Sequence, residues 1–321
     1  MKKARYLFPN DYMADPSAHV FNEKLYIYPS HDWDSNVVEN DKGDHFNMKD
    51  YHAFSMDDIN GPIKNHGKIL DLKDIQWASK QLWDSDVAFK NNTYYLYFSA
   101  KDRDGIFRIG IATSKDPVGP FIPSPDPVPG SFSIDPCLFE DDNNFYMYFG
   151  GLWGGQLEKY RNNIYNNNNE LPGNSSPALG PKIAKMRDDM SGFAETPKDI
   201  LIIDQNGESI TQGDTDRRFF EASWMHKYKN KYYFSYSTGD THKICYATGD
   251  NPYGPFVFQG IILTPVIGWT THHSILEFKN KWYLFHHDCL PSNGITWLRS
   301  MKVIELEYNY DGSIKTIQGS R

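Results

Sequence analysis

Two carboxylates of this chain lie among apolar neighbours. Asp135 follows Phe132 and Ile134 and precedes Pro136-Cys137-Leu138-Phe139, and Glu221 stands between Phe219-Phe220 and Ala222-Ser223-Trp224. A third, Asp15, lies in Ala14-Asp15-Pro16-Ser17. Isolated carboxylates are usually solvated surface charges, but placing one in an apolar setting costs free energy unless it is paired or used. Three carboxyl groups facing one cavity suit glycoside hydrolysis, in which one acid protonates the leaving oxygen and another attacks or activates water. Aspartic protease chemistry is a poorer match, because it takes two Asp residues sharing one proton. Glu221, in the most apolar context, is expected to have a raised pKa and to act as general acid. Asp15 then serves as base, and Asp135 holds up the pKa of Glu221 through like-charge proximity.

These residues need elements that bring them together from distant parts of the chain, and an internal repeat supplies them. Leu25-Tyr26-Ile27-Tyr28, Tyr94-Tyr95-Leu96-Tyr97, Phe145-Tyr146-Met147-Tyr148, Tyr232-Tyr233-Phe234-Ser235 and Trp282-Tyr283-Leu284-Phe285 are short aromatic runs, four of them entered through Asn or Lys-Asn. Each reads as a buried strand after a hairpin. Their second residues, Tyr26, Tyr95, Tyr146, Tyr233 and Tyr283, are spaced by 69, 51, 87 and 50 residues and fill the chain. A further short run precedes each: Pro16 to Phe21, Val87 to Phe89, Pro136 to Phe139, Ala222 to Tyr228 and Ser274 to Phe278. Two copies contain near-identical turns, Asp116-Pro117-Val118-Gly119-Pro120-Phe121 and Asn251-Pro252-Tyr253-Gly254-Pro255-Phe256, whose Pro and Gly punctuate strands. Five such units predict an all-β, five-bladed β-propeller occupying residues 1–321 as one catalytic domain. A β-sandwich would need no matched anchors. The longest irregular insertion runs from Gly150 to Pro181, and its Asn166 to Asn169 run reads as a solvent loop.

The repeat also aligns the ionisable residues. Asp15, Asp84, Asp135 and His272 each lie eleven residues before their anchor Tyr, and Glu221 lies twelve before Tyr233. All five therefore fall at the start of a first strand, where a propeller gathers its inner strands around the axis.

At these residues the sequence resembles glycoside hydrolase family 43, five-bladed propeller enzymes that act on arabinose- and xylose-containing polysaccharides. Ala14-Asp15-Pro16-Ser17 is similar to the motif carrying the general base, Ser133-Ile134-Asp135-Pro136 to that carrying the pKa-modulating Asp, and Phe220-Glu221-Ala222-Ser223 to that carrying the general acid. Thr271-His272-His273-Ser274 resembles the fifth-blade motif whose first His reaches the axis, which implies a hydrated calcium site at His272. Arg299 sits where a family Arg contacts the sugar. Leu82-Trp83-Asp84-Ser85-Asp86 departs from the usual Trp-Ala-Pro-Asp pattern: it keeps the Trp, a candidate for stacking on the sugar ring, and the last Asp, and leaves Asp84 without an assigned role. The family inverts anomeric configuration, which implies carboxyls of Asp15 and Glu221 about 6.5 to 9.5 Å apart. Retaining invertase-like propellers carry Asn-Asp-Pro-Asn near the N-terminus, and Met13-Ala14-Asp15-Pro16-Ser17 lacks the first Asn.

Composition narrows the rest. With 33 Lys and Arg against 41 Asp and Glu, a net charge of −8 offers no footprint for nucleic acid. No apolar run approaches a membrane span or a signal peptide, and Cys137, Cys245 and Cys289 are too few and too scattered for a disulfide framework, so a cytoplasmic protein is expected. The resemblance implies release of terminal xylose or arabinofuranose from xylo- or arabino-oligosaccharides. An endo-acting arabinanase or xylanase, or a propeller that binds sugar without turnover, are the alternatives. Specificity is expected from His31, Asp32 and Trp33 at the pocket mouth and from the Gly150–Pro181 insertion.

Overall fold

The computed structural model describes residues 3–319. Five sheets surround an axis, antiparallel apart from the edge strand Ile202–Ile203 of the fourth, and each opens with an inner strand: Met13–Phe21, Ser85–Lys90, Cys137–Asp141, Glu221–Tyr228 and His273–Phe278. Each inner strand touches the inner strands of both neighbouring blades, so the ring is closed. Every one pairs with an anchor strand, respectively Lys24–His31, Thr93–Asp102, Asn144–Phe149, Lys231–Ser237 and Lys281–Asp288. The hairpin turns between them, Asn22-Glu23, Asn91-Asn92, Asp142-Asn143, Lys229-Asn230 and Lys279-Asn280, hold both residues at φ between 47° and 64°. Two consecutive positive φ values are what a type I′ turn requires, and Asn tolerates them better than other side chains. This is the physical content of the Asn that precedes the aromatic runs.

The anchors also explain why two turns share a sequence. Two residues after the anchor, Tyr28, Tyr97 and Tyr148 are fully buried and donate hydrogen bonds to the next blade. Tyr28 reaches the carbonyl of Pro117 at 2.7 Å, Tyr97 that of Met190 at 2.6 Å, and Tyr148 that of Pro252 at 2.8 Å. Pro117 and Pro252 occupy the same place in the two matched turns. Each turn is therefore a receptor for the tyrosine of the blade before it.

Closure is achieved at the fifth blade. Its outer edge is the strand Arg5–Tyr6, which pairs with Ser300–Leu306. Tyr6 Oη donates to Asp288 Oδ1 at 2.9 Å, and the same buried carboxylate takes Lys302 Nζ at 2.7 Å. Arg5 donates to the carbonyls of Ile59 and Gly61 in the first blade, at 2.6 and 2.9 Å, so one short strand bridges the last blade to the first. Near the axis, buried Asp86 accepts from Ser17 Oγ of the first blade and from the Leu138 amide of the third, both at 2.6 Å. No helix among the described residues is long and apolar enough to cross a membrane.

Removing one inter-blade bond isolates its contribution. Tyr148→Phe keeps the ring but leaves the Pro252 carbonyl without its buried donor, and is expected to lower stability by about 1–2 kcal/mol, read as a lower urea midpoint with an unchanged slope.

Candidate active site

The starts of the first, third and fourth inner strands depart from regular β geometry at the acidic positions. Asp15 and Asp135 adopt φ of 44° and 60°. In the fourth blade the matching position, eleven before the anchor, is Ala222 at φ 64°. The strands carrying Asp15 and Glu221 bulge by one residue against their partners, between Ala14 and Ser17 and between Glu221 and Trp224. The twelve-residue spacing of Glu221 is thus real: the glutamate sits one residue before the bulged position and the alanine fills it. Non-glycine residues at positive φ carry strain that surrounding structure must hold, and the amides at these positions are tied inward. Ala222 N–H donates to Asp135 Oδ2 at 2.6 Å, Asp135 N–H to Asp84 Oδ1 at 3.1 Å, and Asp15 N–H to His287 Nδ1 at 3.3 Å.

Asp15, Asp84, Asp135, Glu221, His272 and Arg299 line one cavity that opens to solvent. Arg299 is its organising cation. Its Nη1 donates to Asp15 Oδ1 at 2.7 Å, while Nε and Nη2 grip Asp32 at 2.8 and 2.7 Å. Burial would raise the pKa of Asp15, but Arg299 together with His287, His272 and a hydrogen bond from Ser30 outweighs it and brings the group down to about 2. Glu221 moves the other way, pushed up to about 8 by burial and then by the charges of Asp15 and Asp84, with Arg299 opposing. His287, fully enclosed, is held neutral by burial, down at about 3, so its Nδ1 can accept from Asp15 while Nε2–H donates to the Thr270 carbonyl at 3.1 Å.

Asp84 is the residue that sequence reasoning undervalued. It is buried in the cavity wall, accepts from Ser99 Oγ at 2.9 Å as well as from the Asp135 amide, and has its pKa raised to about 7, chiefly by burial. Asp135 is pushed well above the carboxylate range by burial and by the charges of Asp84 and Glu221. The two neighbouring carboxyls resist joint ionisation, and Asp15 and Asp84 place like charge beside Glu221.

Trp83 lines the cavity, its indole N–H donating to the Phe46 carbonyl at 2.8 Å and its ring 4.5 Å from that of Phe107. Gly43, at φ 66°, packs so close that a Cβ there would lie 2.7 Å from the indole. Arg299 lines the cavity with its guanidinium already committed to Asp15 and Asp32. His31 does not line it. That imidazole lies between Asp50 and Asp11, 2.8 and 3.2 Å away, and although burial disfavours its charged form, these hydrogen bonds lift its pKa to about 9. Asp32 turns inward to Arg299, and Trp33 is exposed. The cavity is lined instead by Glu39, Asn40 and Asp41 and by Trp153, Phe220 and Trp269. Trp153 comes from the start of the Gly150–Pro181 insertion, and its ring lies 5.3 Å from Phe220 and 5.9 Å from Trp269. Asn166 to Asn168 are exposed and Asn169 half-buried, as a surface loop requires.

His272 is mostly buried, yet neither ring nitrogen has a hydrogen-bond partner. Burial lowers its pKa, leaving a neutral imidazole with a free lone pair. Donor atoms of His272, Asp84 and Asp135 lie within 4.8 Å of one another, a set that fits a cation completed by water.

Known proteins share this arrangement. The chain is 63% identical over 98% of both lengths to a xylosidase/arabinosidase of Bacteroides ovatus, and 56% identical to a β-xylosidase of Xylanibacter ruminicola over 98% of this chain and all of that one. The solved structure of RS223-β-xylosidase superposes with a TM-score of 0.99 at 65% identity over the full length of both chains. A β-xylosidase/α-arabinofuranosidase from a compost microbial metagenome, bound to xylotriose in a calcium-free form, gives 0.97 at 57% identity over 99% of this chain and 98% of that one. The family model of Glycosyl hydrolases family 43 matches residues 9–314, and with these identities over nearly the whole chain it belongs to this family and is a glycoside hydrolase.

Proposed function

We propose that this enzyme removes terminal β-D-xylose and α-L-arabinofuranose from short xylan-derived oligosaccharides with inversion. The observation that carries the reading is the divergence of two carboxyls in one cavity. Glu221, protonated up to about pH 8, gives its proton to the leaving oxygen, and Asp15, held ionised at a pKa of about 2, takes a proton from the attacking water. Asp84 and the proton shared with Asp135 keep Glu221 charged with its proton. Trp83 offers an apolar face to the sugar ring. The substrate class is supported by the names of the similar proteins, xylosidase and arabinosidase, and by the xylotriose bound in the metagenomic relative. A pyranose and a furanose can present similarly placed hydroxyls, so one pocket can admit both.

His272, with Asp84 and Asp135 nearby, would hold a hydrated calcium ion. When bound, the ion supplies positive charge at the floor of the cavity and takes the imidazole lone pair that the protein leaves free. The three cysteines are free and buried, which suits a reducing compartment such as the cytoplasm.

Hydrolysis of p-nitrophenyl β-D-xyloside and α-L-arabinofuranoside, with NMR of the released anomer, tests the reaction. Inverted product from either sugar is expected, and Glu221→Ala and Asp15→Asn should each lose roughly 10²–10⁴-fold in rate. Retained configuration would refute the proposed roles, and turnover of linear polymers alone would favour an endo-acting enzyme.

The pH dependence follows from the signs. The acid must carry its proton and the base must not, so kcat/KM should fall as pH rises through about 8 and stay level on the acid side until Asp15 protonates near its pKa of about 2 or the protein unfolds. Asp84→Asn removes a negative neighbour of Glu221, and the alkaline limb should move to lower pH. Stripping divalent ions with a chelator is expected to lower activity, with recovery on adding calcium to the native protein and none in His272→Ala.

A further inference from the structure

A second cluster of metal-ligating side chains lies on the first blade, outside the catalytic cavity. His31 ends the strand Lys24–His31, Asp50 opens the strand Asp50–Met56, and His52 follows two residues later on the same face. His31 Nδ1 lies 2.8 Å from Asp50 Oδ1, and His52 Nε2 lies 3.3 Å from Asp50 Oδ2. The two imidazole rings are 4.9 Å apart at 69°. One donor atom from each of the three falls within 4.8 Å of the other two. Ligands bound at 2.0–2.1 Å to one ion are separated by about 2.9 Å in octahedral and about 3.3 Å in tetrahedral geometry, so these side chains need little movement to share one.

The donor set indicates which ion. Two imidazoles, His31 releasing its proton on binding, and a carboxylate suit zinc and its first-row neighbours, whereas calcium and magnesium favour oxygen-rich sets. Groups further out are arranged as they are around such ions. Asp11 Oδ1 sits 3.2 Å from the other nitrogen of His31, a carboxylate–histidine pair that fixes ring orientation, and Trp33 Nε1 donates to Asp50 Oδ1 at 3.2 Å. Side-chain exposure of 11% for His31, 9% for Asp50 and 18% for His52 leaves the cluster shielded but reachable from solvent.

We propose that His31, Asp50 and His52 bind one divalent transition-metal ion of the zinc class, distinct from the cation at His272, and that this ion staples the two ends of the arch formed by residues 32–49. The position gives the site its consequence. His31 is the last residue before the arch and Asp50 the first after it. Between them lie Asp32, which grips Arg299, and Glu39, Asn40, Asp41, Phe46 and Met48, which wall the cavity. A metal joining the ends restricts the arch without touching the sugar, and is independent of the substrate proposed above.

The test uses full-length protein stripped of metal. His272→Ala, which removes the axial ligand, is incubated with zinc, desalted and analysed for bound metal. About one zinc per chain should remain, and adding His52→Ala should abolish it, with circular dichroism checking that both variants are folded. Zinc should also slow proteolytic cleavage within residues 32–49 in His272→Ala. In crystals of the native protein soaked in zinc, anomalous scattering should place an ion between His31, Asp50 and His52. Absence of zinc from His272→Ala, equal zinc in both variants, no anomalous peak at the cluster, or unchanged cleavage of the arch would each overturn the proposal.

Discussion

One buried cation governs the cavity. Arg299 is the permanent positive charge among the described residues lining it, and it is shared between Asp15 and Asp32. Asp84, Asp135 and Glu221 stand in the same low-dielectric space without a fixed counter-charge. Five carboxyls and one guanidinium cannot all be ionised there, because an unpaired buried charge takes up or releases a proton instead. The arginine decides which carboxyl is spared. Asp15 and Asp32 are neutralised by pairing, and the others must be stabilised by protons. Burial raises every one of these carboxyls; Arg299, helped by His287, His272 and Ser30, reverses that for Asp15, whereas Asp32 stays raised despite its two bonds to the guanidinium and Glu221 has no such partner set.

The backbone serves this arrangement at a conformational cost. Positive φ at Asp15, Asp135 and Ala222 costs roughly 1–2 kcal/mol each for L-residues, and the bulges disrupt the hairpins at their inner ends. Regular pairing resumes a few residues further along, where the type I′ turns and the tyrosine bonds between blades hold the ring. The strain lies at the mouth of the axis and the restraint at its periphery, a common division between site and scaffold.

The scaffold was legible because its signals are local. A two-residue turn with two positive φ values selects Asn, and a strand packed between blades selects Tyr and Phe, so turn and aromatic run recur together and count the blades. Asp15, Asp135 and Glu221 were legible through their fixed distance from those anchors. What the sequence could not convey was which charge neighbours which. Asp84 lies at the same spacing, but its altered surroundings obscured that it, with Asp15, supplies the negative field on Glu221. His31 sits beside a Trp in an acidic stretch and reads as a pocket residue, yet strand alternation turns it to Asp50 and sends Asp32 inward. The Asp32–Arg299 pair spans 267 positions, and no local pattern foretells it.

The closure of the ring has a bearing on how the chain is made. Arg5–Tyr6 is synthesised before Ser300–Leu306, with which it pairs and which leaves the ribosome roughly 15–60 s later at ordinary elongation rates. Arg299 directly precedes that late strand. Until it emerges, Asp15 has no guanidinium partner and the cavity no organising cation. The strand that closes the ring and the guanidinium that pairs Asp15 thus come from the same late segment of the chain.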